Sequence, residues 1–84
     1  MEYEYLLLRS NIFRELSVAD PELLPDGVTF RFDGDRALVR FTSGKATSGS
    51  HLSLRELRGT NCPMVKAAVA QMLSDLARFK RQGG

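Results

Sequence analysis

Between Val28 and Thr42, apolar and polar side chains alternate on both sides of an Asp33-Gly34 pair, and no other feature constrains the fold as strongly. Val28, Phe30 and Phe32 alternate with Thr29 and Arg31. Ala37, Val39 and Phe41 alternate with Leu38 and Arg40. Period-two alternation is the pattern of a half-buried strand, and Asp-Gly tolerates the positive φ of a type I′ turn. The segment is expected to form an antiparallel hairpin. A two-residue turn pairs Phe30 with Ala37 and a four-residue turn pairs Phe30 with Val39; either register sends the same side chains inward.

The second clear element is a C-terminal helix. Val65, Val69, Met72, Leu76 and Phe79 recur at spacings of four and three, while Lys66, Gln71, Ser74, Asp75 and Arg78 share the opposite side. Asn61 is the expected cap, Pro63 suits the first turn, and the helix is expected to reach about Lys80. Hairpin and helix together predict an α+β domain over residues 1–84. It has a small, mainly antiparallel sheet of three or four strands, the amphipathic helix packed on one face, and a short N-terminal helix. Val28, Phe30, Phe32, Val39 and Phe41 are expected to meet the helix stripe in the core.

The remaining segments are read from shorter signals. Tyr3–Arg9 alternates and is expected to be a strand, with Glu2 and Glu4 placed to neutralise hairpin arginines across it. Ser10 is expected to cap a short helix through Leu16, and Asp20-Pro21 to open one turn ending near Leu24. Residues 42–50, polar and glycine-bearing, read as a loop. The stretch from His51 to Arg58 carries two signals: Ser53 with Glu56 resembles a capping box, and Leu52 with Leu54 fits a third strand from about Ser50. The strand is preferred, because two strands cover a helix poorly.

Charge is unevenly placed. The chain carries +2 overall, yet residues 1–36 hold a balance of −4 and residues 37–84 one of +6. Such a split suits pairing within the fold, pairing between subunits, or an anionic partner. Arg31, Arg36 and Arg40 all point away from the predicted core. With Lys45, and with Arg78, Lys80 and Arg81 near the C-terminus, they are the candidate contacts for a protein or a nucleic acid. No aromatic residue joins them on the outward hairpin face, so base stacking is not expected.

One cysteine, Cys62, excludes an intrachain disulfide and a cysteine-based zinc site. His51 is the single histidine and has no partner at ligand spacing, so no metal is expected. No phosphate-binding loop, dinucleotide fingerprint or nucleophile–base–orienter set is present, and no cofactor or enzymatic activity is expected. A cytoplasmic protein without a membrane segment is expected from the single cysteine and the charged flanks of Tyr5–Leu8.

Three stretches resemble known families. The β-β-(β)-α order with a basic last helix is similar to double-stranded-RNA-binding domains. Those domains carry a longer first helix and a lysine cluster where this chain has Cys62-Pro63-Met64-Val65-Lys66. Leu57-Arg58-Gly59-Thr60-Asn61-Cys62-Pro63-Met64 resembles the Leu-Arg-Gly-x-x-Cys-Pro-x-Pro segment of TusA-type sulfur carriers, with Val65 in place of the second proline. That resemblance implies a reactive thiol at Cys62, a helix-start position that favours the thiolate. Gly83-Gly84 is similar to the tails of ubiquitin-like carriers, which follow a strand, whereas here the pair follows a helix. The functional expectation is a small non-enzymatic protein-binding module, an accessory, inhibitor or regulatory protein of the bacterial or phage kind, with a homodimer as one form. Nucleic-acid binding through the same arginines is the alternative, and a sulfur-carrier role the next.

Overall fold

The computed structural model describes residues 2–57, 59 and 61–83. Its elements run α1 (Glu2–Ser17), a 3₁₀ turn (Pro21–Leu23), β1 (Gly27–Asp33), β2 (Arg36–Ser43), β3 (Ala46–Ser53), a second 3₁₀ turn (Leu54–Glu56) and α2 (Pro63–Gly83). The α+β architecture expected from the sequence is present, with three strands in the order β1-β2-β3 and both neighbours antiparallel.

The first hairpin keeps the register that pairs Phe30 with Val39, and Asp33 pairs with Arg36. Its two turn residues are Gly34 and Asp35. Only the glycine has positive φ, 63°, which is the type II′ pattern rather than the expected I′. Ala37, Val39 and Phe41 are fully buried, Val28 and Phe30 partly so, and Phe32 remains 38% exposed.

The N-terminal strand is not there. Glu2–Ser17 is one helix, and Ser10 lies exposed in its middle. The Tyr-Leu alternation is local. Leu8, Ile12 and Leu16 recur at i+4 over the longer span and are all buried. Glu2 and Glu4 in the first turn and Arg14 in the last suit the helix dipole.

The expected loop at 42–50 is also corrected. β2 runs to Ser43, Gly44 (φ 61°) and Lys45 form a tight turn, and β3 starts at Ala46. Asp26 holds this turn, accepting the Gly44 amide at 3.1 Å while its own amide donates to the Thr42 carbonyl at 2.8 Å. The inward positions of β3 carry Ala46, Ser48, Ser50 and Leu52, and the small size of the first three lets α2 lie close. The Ser48 hydroxyl donates to the Met72 carbonyl at 2.8 Å, so the buried polar group is satisfied. In the next stretch the preferred strand is present, running to Ser53, and the helix of the capping-box alternative is reduced to one 3₁₀ turn, Leu54–Glu56. Ser53 precedes that turn without a side-chain cap bond.

α2 begins one residue later than Asn61 would cap it. Pro63 is its first residue, and the Cys62 carbonyl accepts the Lys66 amide at 3.0 Å. Val65, Val69, Met72 and Leu76 are buried as expected. Phe79 is 39% exposed, under the Arg78 guanidinium at 5.4 Å. Among the described residues no helix is long and apolar enough to cross a membrane. Asp20 accepts the Glu22 amide at 3.0 Å, so the Asp20-Pro21 signal is realised as the first 3₁₀ turn.

Candidate functional site: the open face of the sheet

Both helices lie on one side of the sheet. α2 packs beneath β3 and β2, and α1 reaches β1 through ring contacts, Tyr5 to Phe32 at 4.4 Å and Phe13 to Phe30 at 6.2 Å. Phe30 and Phe32 stand opposite Val39 and Ala37, so these contacts are on the buried face. Among the described residues no helix lies over the other face.

Strand register then dictates what that face shows. Arg31, Leu38 and His51 form one row across the three strands; Thr29, Arg40 and Gly49 form the next. Arg36 and Arg40 lie diagonal to Arg31, at roughly 7–8 Å between backbones in such geometry. All three arginines are exposed, and none makes an ion pair among the described residues. Leu38 is half-buried between Arg31 and His51. Beside it Arg31, Asp33, Arg36, Leu38 and His51 bound a shallow hollow of about 360 Å³. Asp33 pairs with Arg36 in the strand register without closing an ion pair.

Neutralisation by Glu2 and Glu4, expected from a first strand beside the hairpin, does not occur. Both sit in the first turn of α1, in the helical layer. The guanidiniums on the open face thus meet water, and like charges at this spacing raise the free energy of the bare face by tenths of a kcal/mol per pair.

The remaining candidate residues are divided by the fold. Lys45 stands in the β2–β3 turn, at the end of the open face. Arg78, Lys80 and Arg81 lie on α2, in the opposite layer, and Arg78 is engaged with Asp75 at 3.0 Å. The seven basic residues therefore form two separate patches.

Cys62 is 3% exposed, and its thiol donates weakly to the Glu56 carbonyl at 3.7 Å. Its amide donates to Asn11 Oδ1 at 3.0 Å, and Asn11 Nδ2 donates to the carbonyls of Leu7 and Gly59 at 2.9 Å each. Asn11, 2% exposed, is the buried clamp that ties α1 to the entrance of α2. Sequence reasoning passed over it; the available signal was one amide side chain on the Leu8–Ile12–Leu16 side of a helix. His51 is on the open face and Cys62 in the helical layer, so the two do not form a nucleophile–base pair. Arg58 and Thr60 of the sulfur-carrier-like segment, and Gly84 of the terminal pair, lie outside the described residues. No cluster of metal-ligating side chains occurs among the described residues.

Comparison with known proteins returns nothing: no family model, curated protein or solved structure matches this chain.

Proposed function

We propose that this chain is a non-enzymatic binding module whose open sheet face docks an acidic protein surface. The observation that carries the reading is the set of three exposed guanidiniums, Arg31, Arg36 and Arg40, without ion pairs among the described residues and grouped around Leu38. Carboxylates on a partner would supply charge-assisted bonds to the guanidinium forks, and the half-buried leucine would give the contact an apolar centre.

The second reading is duplex nucleic acid. Its support is the same arginine group, together with the α-β-β-β-α order and a 16-residue first helix, longer than the short helix expected from Ser10 to Leu16. The lysine cluster of those domains has no counterpart at Cys62–Lys66. Aromatic platforms are lacking on the open face, which weighs against single strands.

Fluorescence anisotropy with a labelled Glu/Asp-rich peptide and with a labelled RNA duplex, each at low and at physiological salt, separates the two. The proposal expects peptide binding that survives physiological salt and is lost in Arg31→Ala/Arg40→Ala. Duplex binding that collapses steeply with salt, with no peptide binding, establishes the second reading instead. Absence of both at low salt rejects the open face as a site for anions.

A further inference from the structure

A second surface, on the helical layer, has a different character. The 3₁₀ turn Pro21–Leu23 runs alongside the C-terminal half of α2, leaving a groove of about 450 Å³ floored by Leu23, Leu24, Leu76 and Ala77. A neighbouring hollow of about 460 Å³ shares Leu23 and Ala77 and continues along α2 past Ser74 to Ala70. Leu23 is 42% exposed and Leu24 40%, so the groove holds apolar surface that the monomer leaves wet.

The charges at its edges are sorted by wall. Asp20 and Glu22 stand on the 3₁₀-turn side; Lys80 and Arg81 stand on the α2 side. Among the described residues no acid pairs with a base across the groove; the Asp20 carboxylate instead accepts the Glu22 amide. A partner that merely carried acids would meet Asp20 and Glu22, and one that carried bases would meet Lys80 and Arg81. A surface with both walls, turned end for end, satisfies all four.

We infer that this groove is the interface of a two-fold homodimer. In a two-fold contact, residue i of one copy meets residue j of the other and the reverse holds as well, so the acidic wall of each protomer faces the basic wall of its partner. An antiparallel crossing of the two α2 helices near Ala77 carries this out. It brings the partner's last α2 turn over the Ala70–Ser74 end of the groove, where Asp20 stands. Ala70, Ser74 and Ala77 let the helix backbones approach closely, and the exposed leucines close over the crossing. This surface is in the opposite layer from the arginine face, so the inference is independent of the proposed partner.

Sedimentation equilibrium over a hundredfold concentration range tests it. The mass is expected to rise from the 9.4 kDa of one chain toward twice that value. Asp20→Lys and Lys80→Glu, each turning an attraction present twice into a repulsion present twice, are expected to weaken association by about tenfold at low salt. The double variant, which restores opposite signs, is expected to recover it. Ala77→Glu is expected to abolish association while far-ultraviolet circular dichroism confirms that the fold is kept. A chain that stays monomeric throughout the range overturns the inference. So does a dimer that Ala77→Glu and both reversals leave intact, because the two copies then meet elsewhere.

Discussion

The two helices contact the same sheet in different ways. α2 lies close to β3 because three of the four inward residues there are the small Ala46, Ser48 and Ser50, and one hydroxyl bonds directly to the helix backbone. α1 stands off from β1 on rings: Tyr5 and Phe13 from the helix, Phe30 and Phe32 from the strand. The Arg9 guanidinium sits 5.6–5.7 Å from the Tyr5, Phe13 and Phe30 ring centres, and donates to the Tyr5 hydroxyl at 3.1 Å. The close seam leaves Ser48 6% exposed. The ring seam has a wet edge, since Phe13 is 45% exposed and Phe32 38%. One sheet thus presents a seam bonded directly to a helix backbone and a seam built on rings.

Mutations at the two seams are expected to rank accordingly. Phe41→Ala, at a fully buried site on the central strand that both seams rest on, is expected to destabilise by about 3–5 kcal/mol. Urea denaturation followed by circular dichroism measures it. Ser48→Leu forces volume into the close seam and removes the hydroxyl's bond to the Met72 carbonyl; a loss of about 3 kcal/mol is expected. A neutral outcome would show that the close seam has slack and would break the contrast. Asn11→Ala removes the side chain's bonds to the Cys62 amide and to the Leu7 and Gly59 carbonyls, for an expected loss of about 2 kcal/mol. Native alkylation of the Cys62 thiol, slow in the intact protein because it is buried, is expected to accelerate in that variant. Phe32→Ala at the ring seam is expected to lower stability by only about 1 kcal/mol, read as a melting-temperature drop of roughly 4–8 °C. Arg9→Ala removes cation–π contacts at an exposed position and is expected to have the smallest effect, about 0.5–1 kcal/mol. If it exceeds Ser48→Leu, the ring seam is the stiffer of the two.

The same contrast explains which parts of the fold were legible. The β1–β2 hairpin uses large side chains with strict alternation, so its faces could be assigned and the outward direction of Arg31, Arg36 and Arg40 followed from them. Three of the four inward positions of β3 hold the small Ala46, Ser48 and Ser50, which carry little strand preference of their own; only the closeness of α2 makes them interior. α1 reads as a strand over its first seven residues because Tyr3, Tyr5 and Leu7 alternate. Its helical period emerges only when Leu8, Ile12 and Leu16 are counted together. Asn11 was invisible as a clamp because its three partners lie in Leu7, Gly59 and Cys62, the last two about fifty residues along the chain. The candidate face was half legible for the same reason: its arginines were placed correctly, while the neutralising acids assigned to it lie in the other layer.

What the amino-acid order determined alone was local and periodic: a turn at Gly34, the hairpin's two faces, the α2 stripe, and a short helical turn opened by Asp20-Pro21. Those follow from steric preferences and side-chain alternation within a few residues. Tertiary structure decided whether Glu2–Ser17 coils or extends, whether Ser48 is wet or buried, and whether the arginines face acids or water. Each of those outcomes depends on what another element brings within a few ångströms, and nothing in the segment itself encodes its neighbour.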